Sequence, residues 1–199
     1  MGIRMVVMKI LVACEKSGKV RDAFIGKGHV AWSCDILDTD SPGPHIKGRL
    51  EDVIGNGRDW DMIVAFPPCT HLAVSGARYF AQKLKEQEYA IAFFMMIMTR
   101  DCPKISIENP VGIMSTRYRK PDQIIQPWMF GHPESKKTCL WLHGLPLLTP
   151  TNILQKPEIG YWENQTPSGQ NKLGPSPDRA TLRGITYQGI ADAMAEQWG

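Results

Sequence analysis

Hydrophobic residues in this chain come in short, nearly unbroken runs, each closing on polar or turn-forming residues. MVVMKILVAC, residues 5–14, alternates poorly and is interrupted only by Lys9. Such a run predicts a strand buried on both faces, as in a parallel sheet. Glu15-Lys16-Ser17-Gly18 breaks it, and Ser17 is placed to cap a helix over about Lys19–Lys27, which Gly26 and Gly28 bring to an end. His29–Cys34 reads as a second strand closing on Asp35, and DTDSPGPHIKG (38–48) is a loop by composition. Asp61–Phe66 is another buried strand. Tyr79–Thr99 reads as a long helix, polar at its start and apolar at its finish (AIAFFMMIM). Lys104–Ile107 is a further short strand, ending on Glu108-Asn109-Pro110.

Past Thr138 the texture changes. TCLWLHGLPLL predicts a strand and a turn, residues 149–179 are rich in Pro, Gly, Asn and Gln with little periodicity, and an amphipathic helix over about Gln188–Gln197 closes the chain. The 149–179 stretch is expected to be a long irregular surface loop. No internal repeat or linker divides the sequence, so residues 1–199 are expected to form one domain. Strands alternating with helices make that domain α/β, with a mostly parallel sheet.

Composition narrows the class without naming a function. An apolar fraction of 43% and a charged fraction of 22% are ordinary for a globular protein. No run approaches the ~20 apolar residues of a membrane span, so no membrane association is expected. The N-terminal run reads as a strand rather than a signal peptide, and Val6 stands where a myristoylation signal needs Ser or Thr. The five cysteines (14, 34, 69, 102, 139) are odd in number and form no CxxC pair. Neither a disulfide framework nor a metal site is expected, and a reducing cytoplasm fits best. A formal charge of +3 is too small by itself to imply nucleic acid.

Candidate chemistry gathers at the strand ends, where ligands bind in open α/β sheets. Those ends carry Glu15, Ser17 and Gly18, then Asp35, then Pro67-Pro68-Cys69, then Glu108-Asn109. No GxGxxG is present, but Asp35 sits where a carboxylate commonly receives a ribose hydroxyl. A lone cysteine is most often a buried filler. Cys69 departs from that pattern because two prolines stiffen the turn that presents it. His71 is too near in sequence to face it easily. Glu108, at the end of a separate strand, is the natural partner. A thiol beside a carboxylic acid suits addition of sulfur to an electron-poor ring while the acid protonates a ring nitrogen.

VACEKSGKVRDAF, SCD, FPPCTHLAVSG and ENPVG, in this order, and later FGHPESKKTCLWL and TYQGIADAMAEQW, resemble the motifs of the S-adenosylmethionine-dependent cytosine-C5 DNA methyltransferases. The resemblance covers most of residues 9–148 and then 179–198. It implies a Rossmann-like, class I methyltransferase fold. It also implies a mechanism in which the Cys69 thiolate adds to C6 of a pyrimidine, Glu108 protonates N3, and C5 accepts the methyl group. By the same resemblance Glu15, Ser17 and Gly18 border the methionine part of S-adenosylmethionine. Asp35 holds its ribose, Asp52 its adenine, and Pro67 and Thr186 complete the pocket. Where the family carries a Gln-x-Arg-x-Arg element, this chain has Glu134, Lys136 and Thr138, so Lys136 keeps the positive charge.

DNA is the implied partner, with Ser75, Arg117, Arg119, Lys120 and Lys137 as contacts and Arg179 and Arg183 as further cations. Trp128, Trp141 and Trp162 are stacking candidates, the first two better suited to packing. The chain departs from the family in its CEKSG turn, in the missing arginines, and in having only the 149–179 loop in place of a target-recognition domain. A single-stranded substrate, or recognition by a second subunit, fits that shortage, and a compact form of this kind is expected in phage genomes. Two alternatives stay open: C5 modification of a free pyrimidine nucleotide, and a non-catalytic nucleotide- or DNA-binding protein with a methyltransferase-like fold.

Overall fold

β1 (Lys9–Ala13) is apolar after Lys9 because its two faces feed two separate cores. Ile10 and Val12 point into one, Leu11 and Ala13 into the other, and all four are fully buried. The structure, a computed structural model, describes residues 6–55, 59–74, 82–174, 176 and 179–199. β1 lies among β2 (Val30–Asp35), β3 (His45–Lys47), β4 (Met62–Ala65), β5 (Lys104–Pro110), β6 (Gln123–Ile125) and β7 (Thr138–His143), in the order β3-β2-β1-β4-β5-β7-β6. The first five strands are mutually parallel, and β7 runs antiparallel to both β5 and β6. This is the doubly wound Rossmann order with one reversed strand inserted between the fifth and sixth. The Rossmann-like α/β fold expected of the chain is the fold it has.

Helices cover both faces. α1 (Lys19–Gly26) and α6 (Gln188–Trp198) close the core that holds Ile10, Val12, Met62 and Val64. α2 (Leu50–Gly55) and α3 (Leu84–Met98) close the other, where Phe94 meets the fully buried Trp141 edge-on at 5.2 Å. Two short helices, α4 (Met114–Arg117) and α5 (Arg179–Gly184), lie in the connections. Each core alternates along the strands with period two, so a residue's parity decides which helix layer it meets.

Several features differ from the sequence expectation, and α2, β6, α4 and α5 have no counterpart in it. β5 runs past Ile107 to Pro110, because β7 pairs with it across Glu108–Leu140, Asn109–Cys139 and Pro110–Thr138. The N-cap of α1 is Gly18 rather than Ser17. The Ser17 hydroxyl donates to Glu15 at 2.7 Å and lies 3.4 Å from the Lys19 amide. Gly18 has φ +75°, and a Cβ there would press on the Arg21 guanidinium. Arg21 itself is wholly buried, donating to Ser33 Oγ and to the Ser41 and Pro42 carbonyls, each at 3.1 Å, with Asp22 as its ion partner. That fan of bonds ties the 38–44 loop over the first helix, and β3 forms just beyond it along the edge of β2. α3 begins at Leu84, while residues 79–81 of the helix expected from Tyr79 lie outside the described residues.

Residues 149–174 form no named helix or strand, and the first half of this stretch is fastened to the 128–135 segment. Asn152 and Leu154 amides donate to the Met129 and Trp128 carbonyls (3.2 and 2.9 Å), and the Glu163 amide donates to Pro133 O at 3.1 Å. The Asn164 side chain bonds both the amide and the carbonyl of Ser135, at 3.0 Å each.

Candidate active site

β4 and β5 are adjacent and parallel, with Ala65 opposite Ile107, so the residues after each emerge side by side at the carboxyl edge of the sheet. From β4 comes Pro67, buried, then Pro68 and Cys69, exposed. The Cys69 carbonyl accepts from the Leu72 and Ala73 amides (3.0 and 2.9 Å), which closes the turn. That turn is stitched to the Glu108-Asn109-Pro110-Val111-Gly112 segment. Asn109 Nδ2 donates to Pro67 O at 2.9 Å, the Val74 amide to Val111 O at 3.1 Å, and the Ile113 amide to Leu72 O at 2.9 Å. Gly112 makes the close approach feasible, since a Cβ there would run into the Leu72 carbonyl oxygen. The turns that carry Cys69 and Glu108 are therefore bonded to each other, and the Glu108 carboxylate lies near enough to raise the thiol's pKa.

The reversed strand delivers the cation. Pro110 pairs with Thr138, so the residues just before β7 lie over the end of β5, and Lys136 is among them. Its amide donates to Gln126 Oε1 at 2.9 Å, and its carbonyl accepts from Thr138 Oγ1 at 3.1 Å. Upstream, Glu134 accepts from the Tyr187 hydroxyl at 2.6 Å and His132 Nε2 accepts from the Gly189 amide at 2.9 Å. The 132–136 segment is thus clamped to the start of α6, beside the buried Thr186. Burial and the neighbouring Glu134 carboxylate push the Tyr187 phenol well above its usual range.

Charge at the thiol is balanced between opposing neighbours. Surrounding protein raises the Cys69 pKa most, Glu108 raises it further, and Lys136 and Arg183 pull it down. Cys139, behind Glu108 and buried, is pushed up to about 11 by burial and then by the same carboxylate. Of the five cysteines Cys69 alone is exposed. Arg183 reaches this cluster from α5, an element that sequence reasoning did not resolve.

The ends of β1 and β2 form a second polar cluster. Glu15 is buried, and its Oε1 accepts from Ser17 Oγ (2.7 Å) and the Val20 amide (3.1 Å). Its Oε2 is buried with no partner. Burial raises the Glu15 pKa, against the pull of the Ser17 and Val20 donors and of Arg21. Cys14, just before it, has φ +57°, a conformation costly for a side chain with a Cβ. Asp35 is half-buried and accepts from the Leu37 amide at 3.0 Å. Surrounding protein most, then Asp35, Cys34 and Glu51, raise the half-buried Cys14 thiol far above its usual range; Glu51 is held by Arg49 (2.9 Å) and the Tyr89 hydroxyl (3.0 Å), while Asp52 is exposed. Sequence reasoning missed both Cys14 and Glu51, since neither a left-handed residue nor the facing side of α2 shows in local pattern.

An orphaned, buried carboxylate oxygen beside a glycine turn, with a second acid at the next strand end, fits a ligand carrying an ammonium group and a ribose. S-adenosylmethionine has both. An unpaired buried carboxylate also costs stability. Because its folded pKa is raised, Glu15 favours folding only while protonated, and that benefit is lost as pH rises from the ordinary carboxylate range through the raised value. Glu15→Gln keeps an unpartnered polar atom at the Oε2 position but carries no charge there, so its stability relative to the parent is expected to be higher at pH 7.5 than near pH 4. Melting curves at the two pH values check this, and equal shifts at both would contradict it.

The cations expected to contact DNA divide by position. Lys137 is exposed next to Lys136. Arg117 pairs with Glu88 at 2.6 Å. Arg119 pairs with Asp122 at 2.7 Å and donates to Leu142 O at 3.0 Å. Leu142 lies opposite Ser106, so Arg119 and the exposed Lys120 attach down the sheet from Cys69. Ser75 lies outside the described residues. Trp141 is core, while Trp128 and Trp162 stack on each other at 5.9 Å and 2°. Among the described residues no group of three or more His, Cys, Asp or Glu side chains is placed to hold a metal, and no helix is long and apolar enough to cross a membrane.

No family model and no curated protein matches this chain. Solved structures do. A protein described as a DNA modification methyltransferase encoded within an E. coli prophage aligns with a TM-score of 0.46 at 13% identity, over 74% of this chain and 52% of that one. The bifunctional kinase-methyltransferase WbdD aligns with a TM-score of 0.38 at 13% identity, over 72% of this chain and 36% of that one. The chain spans about half the length of the first and about a third of the second.

Proposed function

We propose that this protein methylates C5 of cytosine in DNA through a covalent adduct at Cys69. The observation that supports the reading is the exposed Cys69 thiol on a strand-end turn bonded to the turn that carries Glu108, with both Glu108 and Lys136 near enough to shift the thiol's pKa in opposite directions. The chemistry needs those three roles together. The Cys69 sulfur forms a bond to C6 of the ring, and Glu108 gives its proton to N3, so the displaced electron pair makes C5 nucleophilic. Lys136 favours the thiolate form of Cys69 before attack and faces the negative charge that the ring gathers. S-adenosylmethionine, when bound, supplies the methyl group that C5 accepts. Loss of the C5 proton to solvent then restores the ring, the C6–sulfur bond breaks, N3 returns its proton to Glu108, and Cys69 leaves as the thiolate.

Glu15, Ser17 and Gly18 are assigned to the methionine end of that ligand, Asp35 to its ribose and Asp52 to its adenine, with Pro67 and Thr186 completing the wall. Lys137 is assigned to substrate phosphate beside the thiol, Ser75 to the strand near the Cys69 turn, and Arg117, Arg119 and Lys120 to a more distant flank.

DNA carrying 5-fluorocytosine tests the reading, because fluorine at C5 blocks the final elimination. Incubation with S-adenosylmethionine is expected to leave a covalent adduct, seen on a denaturing gel and by mass. It should be absent in Cys69→Ala and slowed by about 10²-fold or more in Glu108→Gln. Adducts with a free 5-fluorinated nucleotide but with neither single- nor double-stranded DNA would move the substrate to the nucleotide. No adduct from protein that binds S-adenosylmethionine would reject covalent catalysis.

A further inference from the structure

A cleft of about 450 Å³ opens beside the thiol cluster, between the turn at Pro127–Met129 and the fastened 153–165 part of the long loop. Its floor is Trp128, half-exposed and stacked on the buried Trp162. Ile153, exposed, and Leu154 form an apolar edge, Gln155 and Gln165 supply amide groups, and Lys156 is its single charged residue. The wall it shares with the catalytic cluster is short: Gln126 lines the cleft and accepts the Lys136 amide at 2.9 Å. The cleft therefore starts one residue from the cation that faces Cys69.

We propose that this cleft holds the unpaired nucleotide next to the target cytosine, its base stacked on Trp128 and its phosphate between Lys156 and Lys137. The inference rests on the reading of the Cys69 site as one that acts on nucleic acid, and it adds the strand form of the substrate. An aromatic floor accepts any base because every base has a π face, and the amides around it satisfy base edges without demanding one sequence. Lys156 in the lining, and Lys136 and Lys137 directly after the lining residue Ser135, offer cations to the successive phosphates of a strand. The loop's hydrogen bonds to residues 128–135 hold the cleft open in place. A base in a duplex cannot stack there without leaving its partner, so the site selects single-stranded or locally opened DNA.

Binding is measured with Cys69→Ala protein and a single-stranded oligonucleotide of thymines with one central cytosine. Ile153→Glu and Lys156→Glu, both at exposed positions, and Trp128→Ala, with its fold checked by melting, are each expected to weaken binding about tenfold or more, the scale of one lost base–aromatic stack. S-adenosylmethionine affinity and the alkylation rate of Cys69, read in the same substitutions with the cysteine restored, should stay unchanged. An oligonucleotide with 5-iododeoxyuridine beside the cytosine should crosslink to Trp128. Unchanged affinity in all three variants, a crosslink to another element, or no binding of the oligonucleotide overturns the proposal. The two readings fail separately. Cleft-dependent binding with no fluorocytosine adduct removes the C5 chemistry alone, and adducts formed without any effect of the cleft variants remove the cleft alone.

Discussion

Cys69→Ala is expected to lower methyl transfer by about 10³-fold or more, while leaving the melting temperature and S-adenosylmethionine affinity close to those of the parent. Removing a nucleophile leaves only binding and electrostatic assistance, which accounts for the size of the loss. Stability should hold because Cys69 is exposed, and a substitution at such a position usually changes it by no more than about 0.5 kcal/mol. The same thiol reports its neighbours. Desolvation by the protein around it and the Glu108 carboxylate hold its pKa above the ordinary thiol range, and Lys136 and Arg183 oppose them. Alkylation of Cys69 by iodoacetamide should therefore rise with pH beyond where a free thiol levels off. Glu108→Gln removes a negative charge and should move that profile to lower pH. Lys136→Ala removes a positive charge and should move it higher. A profile that neither substitution shifts would mean that the three groups do not face one another.

Gly112→Ala, which touches no reacting group, is expected to cost about 1–3 kcal/mol of stability and about 10²-fold in activity. The added Cβ would meet the Leu72 backbone oxygen. A carbonyl cannot rotate away as a side chain can, so the Cys69 turn or the Glu108 turn has to move, at the usual cost of overpacking. The Ile113 amide to Leu72 O bond, at 2.9 Å, is the first contact at risk. A shift of about 1 Å between reacting groups is enough for a loss of that size. Assays well below the melting temperature separate misplacement from unfolding. Full activity in a folded Gly112→Ala protein would show that the stitch between the turns does not set the geometry. Asn109→Asp probes the same stitch, since it puts a carboxylate oxygen in place of the amide that donates to Pro67 O.

Much of the architecture is legible in the residues because it follows from short-range rules. Runs such as MVVMKILVAC and MIVA are apolar on both faces, and only strands between two helix layers keep both faces dry. Two prolines stiffen the turn after β4 whatever its surroundings, so Cys69 stands out before any fold is known. Glu108 stands out for a similar reason, as an acid closing an apolar strand.

The tertiary structure decided what depends on pairing between distant segments. Strand register carries no signature within a strand, and the antiparallel pairing of β7 with β5 is what lengthens β5 to Pro110 and brings the segment before Thr138 to the end of β5. Ser17 is a good capping residue in isolation, but its hydroxyl goes to a buried carboxylate, and packing of Arg21 leaves the cap to Gly18. Of the tryptophans at 128, 141 and 162, Trp141 became core, Trp162 was covered by Trp128, and Trp128 kept a surface toward the cleft. Local sequence thus determined the kind of scaffold and which reactive side chains stand at its strand ends. Long-range hydrogen bonds and packing decided which of them meet, because that choice is made by the whole sheet and both cores at once rather than by any one segment.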